Sequence, residues 1–117
     1  MKTILRLLGI TIIISSMYSC EKIESDVSDC IKESIRDYAK SSIICDSGAS
    51  VAEFSFQDQL VYVFNPGTCG ADMGADVYND ACEKIGFLGG IAGITEINGV
   101  RFYEVAIFNR NIWVQDW

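Results

Sequence analysis

The stretch SVAEFSFQDQLVYVFNPGT (residues 50–68) carries two different hydrophobic rhythms. Ala52, Phe54 and Phe56 alternate with Glu53 and Ser55, which gives a strand one buried face. From residue 60 to 64 the apolar side chains run unbroken, as in a central strand covered on both sides. Gln57-Asp58-Gln59 supplies the polar turn between them. Asn65-Pro66-Gly67 closes the second strand, with Pro and Gly placed as a type II turn requires. The stretch therefore predicts a β-hairpin.

The segments around it extend this pattern. Upstream, Val27, Ile31, Ile35, Tyr38 and Ala39 recur at helical spacing, with Asp29, Lys32, Glu33, Arg36, Asp37 and Lys40 on the other face. Asp26 or Ser28 suits the N-cap and Lys40 the negative end of the dipole, which predicts a helix over 28–42. Downstream, a second hairpin is expected from Asp76-Val77-Tyr78 through Asn79-Asp80-Ala81 into 84–88, and Gly-rich 89–93 then breaks the pattern. Asn98-Gly99 is a strong two-residue hairpin signal. Residues 101–109 fit a helix or a strand equally, and Ile112 and Trp113 are expected to pack back on the sheet. The fold class is α+β: one N-terminal helix on a small antiparallel sheet of hairpins, stabilised by disulfides.

The N-terminus places the chain in a compartment. Lys2 and Arg6 precede an apolar run up to Ile14 that is well short of the roughly 20 residues a spanning helix needs. Small residues and Ser19-Cys20 follow, and the chain then turns polar. Residues 1–19 read as a secretory signal of the bacterial lipoprotein type, cut before Cys20. Acylation of Cys20, palmitate included, would hold the protein on a membrane, because each buried methylene contributes about 0.8 kcal/mol. Residues 20–27 then form a short acidic tether, and 28–117 one domain. The expected address is the cell envelope, in the outer membrane of a Gram-negative bacterium, facing the periplasm or the outside.

Without residues 1–19 the chain has 98 residues, with seven basic against sixteen acidic side chains and a net charge of −9. That balance argues against nucleic acid and anionic lipid headgroups as partners. The membrane is met through the lipid on Cys20, and any envelope protein partner is unidentified. Cys30, Cys45, Cys69 and Cys82 remain, an even number with no C-x-x-C, which reads as a two-disulfide framework in an exported chain. Twelve helical residues span about 18 Å. Three extended ones return at most about 10 Å. Pairing Cys30 with Cys45 is therefore disfavoured, and two connectivities stay open.

The blocks DCIKESI, CDSGASVAEFSF, VYVFNPGTCGADMGADVYN, IGFLGGIAG and INGVRF, in this order, resemble the small Bacteroidota lipoproteins that share a domain of unknown function. The resemblance implies an envelope lipoprotein and carries no catalytic residue.

Chemistry finds little footing. Histidine is absent, which removes the commonest general base and metal ligand. The serines have no histidine to activate them, and the cysteines are expected to be oxidised, so no activated nucleophile is in view. FLGGIAGI lacks both the G-x-G-x-x-G spacing and a following Lys-Ser/Thr, so it is no phosphate loop. Laid on a twelve-residue calcium loop, Asp72, Asp76, Asp80 and Glu83 fall at positions 1, 5, 9 and 12. Gly74 stands where position 3 needs an oxygen, and Val77 where position 6 needs glycine. These four are the weak metal candidates, and no cofactor is expected. Tyr62, Tyr103, Trp113 and Trp117 exceed what one small core needs. The expected role is a non-catalytic interaction or structural module, not an enzyme. The alternatives are an inhibitor-type protein using residues 66–82, and a weak calcium-binding module.

Overall fold

The computed structural model describes residues 23, 26–70 and 72–115. The signal segment 1–19, Cys20 and Trp117 lie outside the described residues. The element order is α1 (Asp29–Lys40), β1 (Ser50–Phe56), β2 (Gln59–Asn65), β3 (Gly74–Asn79), β4 (Lys84–Gly89), β5 (Glu96–Ile97), β6 (Val100–Arg101), the single turn α2 (Phe102–Val105) and β7 (Ile107–Val114). Five strands form one antiparallel sheet in the order β4-β3-β2-β1-β7, and β5 and β6 form a two-stranded ribbon beside it. The helix thus lies inside the chain rather than at its N-terminus. The sheet is also larger than two hairpins, because β7 returns to pair with β1.

Local chemistry sets the helix ends. The Ser28 hydroxyl accepts from the Ile31 N–H at 3.2 Å, satisfying one of the first turn's unpaired donors. Asp29 and Lys40 complement the dipole at the two ends. The helix stops two residues before the expected limit, because Ser41 turns extended and its hydroxyl donates to the Tyr38 carbonyl at 2.8 Å. Asp26 and Val27 are not a free tether. Val27 is buried in the helix-side core, and Ile23 packs against the same cluster.

The sheet is covered on both faces. On one, Ile31 and Ile35 of α1 meet Val51, Tyr62, Phe64 and Ile112. On the other, Phe54, Phe56, Val61, Val63, Ala75, Val77 and Leu88 pack under Ile97 and Phe102. β1 was expected to bury one face only. It buries both, because the helix covers Val51 and Glu53 while the α2 side covers Phe54 and Phe56.

The two-residue turns of the β1–β2 and β5–β6 hairpins have the left-handed geometry that matches strand twist. Gln57 and Asp58 adopt φ of 51° and 65°, with Phe56 paired to Gln59, so Gln59 belongs to the strand. Asn98 and Gly99 adopt 57° and 79° in the turn between β5 and β6. The ambiguous 101–109 divides in two. Phe102 is fully buried between Phe54 and Phe56, with ring centroids at 5.2 and 4.9 Å, and the Ala106 N–H closes one helical turn on its carbonyl at 2.8 Å. From Ile107 the open edge of β1 takes the chain as strand.

Cys30 pairs with Cys82 and Cys45 with Cys69, at Cα separations of 6.1 and 5.6 Å. The first ties the start of α1 to the turn after β3; the second ties the loop after α1 to the loop after β2. This is one of the two pairings left open by spacing. No helix among the described residues is long and apolar enough to cross a membrane.

Phe102 holds the whole α2 side in place. Truncating it, Phe102→Ala, should cost about 3–5 kcal/mol, read as a lower denaturation midpoint at unchanged slope.

Candidate functional site

Two places concentrate polar chemistry. The first lies under the start of α1. Glu53, at the middle of β1, is 5% exposed. Arg110 of β7 stands beside it, donating from Nε to Oε1 and from a terminal nitrogen to Oε2, both at 3.3 Å. The same guanidinium reaches Asp26 at 3.0 Å. Asn109 donates its amide to Oε1 at 3.3 Å. The Tyr62 hydroxyl lies 3.3 Å from Asp80 Oδ1 and 3.5 Å from Glu53 Oε2. Ser28 donates from its hydroxyl to the Asp80 carbonyl at 3.1 Å, which joins the cluster to the helix cap.

The electrostatics follow from these contacts. Donating hydrogen bonds to Glu53 and Asp26 pushes the Arg110 guanidinium above its ordinary value, so it is a permanent cation. Burial, with Asp80 and Glu53 nearby, pushes the Tyr62 phenol up. Tyr38 and Tyr78 are raised by burial first and by Asp76 second. Each of these groups holds its proton or charge firmly near neutral pH. Such a cluster locks structure and is poorly suited to transferring protons.

The second place is an open cleft of about 420 Å³ on the opposite side of the sheet's far end. Its walls come from the loop after β2 and the turn after β4, with Thr68, Met73, Leu88, Ile94, Thr95 and Tyr103 among the lining side chains. Glycines form much of the rest, so backbone is open to a ligand. Gly67 is forced at one corner: it has φ of 110°, and a Cβ there would lie 2.9 Å from Cys45 Cβ. The loop is pinned there by Cys45–Cys69, by the Cys45 N–H to the Pro66 carbonyl at 2.7 Å, and by the Gly67 N–H to Asn65 Oδ1 at 2.9 Å. Among the described residues that line the cleft there is no carboxylate, amine or guanidinium.

The four weak metal candidates are not brought together. Asp72 is exposed in the loop before β3, and Asp76 sits on β3 paired with Lys84 at 3.0 Å. Asp80 meets Tyr62 in the following turn, and Glu83 accepts from the Asn79 amide at 2.8 Å. A strand advances about 3.3 Å per residue, so β3 itself spreads this acidic register apart. No group of three metal-ligating side chains occurs among the described residues. The segment 66–82 is not one loop either, because Gly74–Asn79 is an inner strand. Of the aromatics singled out, Tyr62 is buried, Trp113 half-buried against the helix-side core, and Tyr103 59% exposed at the cleft. Sequence reading missed Glu53, whose place between Ala52 and Phe54 looked like an outward position. Its partner Arg110 lies 57 residues away, so no local spacing announces the pair.

Two outcomes follow. Arg110→Met leaves a buried carboxylate without its cation and should cost about 3 kcal/mol, the low end for such breaks because Arg110 is partly exposed. Adding Glu53→Gln should recover part of that loss in chemical denaturation. The raised tyrosines give a pH dependence. The folded state holds these protons more tightly than the unfolded state, so their contribution is complete below the ordinary value of 10 and is lost as pH rises above it. Stability should decline from about pH 10 upward. Phenolate absorbance of the native chain should lag that of the denatured chain over the same range.

No curated protein and no solved structure matches the chain. A family model described as a domain of unknown function, DUF6970, matches residues 39–115. The matched span begins at the end of α1 and runs through the whole sheet, including both walls of the cleft. The chain belongs to the DUF6970 family.

Proposed function

We propose that the chain is a lipid-anchored cell-envelope protein, fastened through Cys20, that acts as a non-catalytic binding module. The observation that carries the binding role is the glycine-walled cleft, with open backbone, apolar side chains and no charged group among its described lining. Such a surface takes up a neutral or weakly polar segment through backbone hydrogen bonds and apolar contact. Two disulfides support the exported address, since cross-links of this kind persist where thiols are not kept reduced. The signal-like run ending at Ser19-Cys20, and the resemblance to Bacteroidota lipoproteins, support the anchor and a Gram-negative outer membrane.

A narrower form of the inhibitor reading has an observation of its own. The loop 66–73 exposes Thr68, Cys69, Gly70 and Asp72 while being braced at Cys69, the arrangement by which an inhibitor presents a rigid segment. In that case the occupant of the cleft region is an enzyme's active site.

The acylated protein should be purified from envelopes in detergent alongside Thr68→Trp, which fills the cleft mouth. A partner retained by the native protein and lost by the variant supports the binding role. A partner held equally by both, or none at all, counts against it. Cys20→Ser should abolish labelling by a radioactive fatty acid and move the protein into the aqueous phase; persistent labelling would dismiss the anchor.

A further inference from the structure

A second concavity, of about 290 Å³, lies on the helix side of the sheet, between α1, the segment after it and β3. Phe64 of β2 is directly opposite Asp76 of β3, so a ring and a carboxylate share its floor. Tyr78 stands two residues further along β3 and on the same face. Tyr38 comes down from α1. The rings of Tyr38 and Tyr78 are each 5.2 Å from that of Phe64 and turned 82° and 74° to it. Three rings thus form a corner, and the exposed side chains of Ile43 and Asp37 lie at its rim.

The chemistry of this lining selects its occupant. Among the described residues that form it, the charged groups are Asp37 and Asp76, both carboxylates. Burial first and Asp76 second raise both phenols, so the rings stay neutral and keep their electron-rich faces. A hard divalent cation would want about six to eight oxygen ligands. No group of three metal-ligating side chains occurs among the described residues. An ammonium on a short alkyl body fits better, with rings and Ile43 for its carbon and carboxylate for its charge. The chain itself already makes such a contact. Lys84 of β4 brings its ammonium to Asp76 Oδ1 at 3.0 Å, with the Phe87 ring centroid 5.7 Å away. Lys84 and Asp76 are 52% and 39% exposed, so their pair is weak and the lysine is free to swing into solvent.

We propose that this corner binds an alkylammonium, a primary or methylated amine, with its charge at Asp76 and its carbon among Tyr38, Phe64 and Tyr78, and that Lys84 competes for the same carboxylate. The site is separate from the glycine-walled cleft and does not depend on it. A net charge of −7 for the whole chain draws cations towards the protein. The amine is either a free small molecule or the side chain of a lysine on another protein, and the group recognised is the same in both.

The test is a proton NMR titration of the mature protein, in nonionic detergent, with choline, butylammonium and N-acetyl-lysine methylamide. Dimethylbutanol, which has the shape of choline without its charge, is the reference. The choline methyl signals should move upfield over the ring faces, and dimethylbutanol should bind about fivefold more weakly. Tyr78→Leu and Asp76→Asn should each weaken choline about fivefold. Asp37→Asn, at an exposed helix position, should weaken it less and guards against a folding failure of the other two. Lys84→Met should tighten binding about threefold, a gain that no loss of structure produces. Tighter binding of butylammonium than of the lysine derivative assigns the site to a free amine, and the reverse to a protein side chain; either supports the proposal. Equal binding of choline and dimethylbutanol would make the corner merely apolar and overturn it. Absence of upfield shifts with all three amines overturns it as well, and Lys84→Met binding no better than the native protein overturns the competition.

Discussion

A carboxylate taken out of water must be met by a cation and by donors, or the fold cannot hold it. Glu53 imposes that condition at the middle of β1, and much of the helix side is arranged to satisfy it. Arg110 fixes β7 against β1, and the partner assignments step from Arg110 to Phe108 between Glu53 and Phe54. Asn109, the residue skipped in that step, turns its amide to both Glu53 and Ser55. The irregularity in the edge strand therefore brings two donors from one strand onto one carboxylate. Asp26 completes the charge on Arg110 from the chain's approach to the helix, while Tyr62 and Asp80 link the cluster to β2 and to the turn after β3. One buried ion thus sets the register of an edge strand and the entry angle of a helix.

The disulfides act at the ends that this cluster does not reach. A domain of under 100 residues buries a modest core and is correspondingly marginal. Cross-linking residues 52 apart removes about 4 kcal/mol of loop entropy from the unfolded chain, and 24 apart about 3, on the chain-entropy account. Their placement matters as much as their size. Cys30–Cys82 holds the first turn of α1 to the turn carrying Asp80, reinforcing the Ser28 contact beside it. Cys45–Cys69 holds a loop free of regular structure at the cleft, where few side chains are large enough to pack.

Local rules account for what could be read in the sequence. The helix, both hairpins of the meander and the Asn98-Gly99 turn each announce themselves within a dozen residues, through periodicity, caps and turn chemistry. Gln57 shows the limit, for aspartate tolerates the left-handed geometry at position 58 but glutamine does not favour it at 57, and strand pairing imposes it there. Residues 101–109 were ambiguous because the answer is non-local: Phe102 is drawn into a ring cluster, and Ile107 is drawn to the edge of β1. The same applies to Glu53 and Arg110, whose pairing exists only once β7 has crossed the sheet. The cleft was invisible for a related reason. Its walls are glycine backbone from two distant loops, and backbone exposure leaves no side-chain pattern to find.

The register of β2 sets the span of the sheet. Leu60 stands at one end and Asn65 at the cleft, five residues apart, or about 17 Å along the strand. They occupy opposite ends of the same rigid sheet. The ion pair at Glu53 joins the chain's approach at Asp26 to that sheet through Arg110, and the far end of the same sheet carries the cleft. A cleft whose walls are held by paired strands and by Cys45–Cys69 loses less conformational freedom on taking a ligand than one built on loose loops.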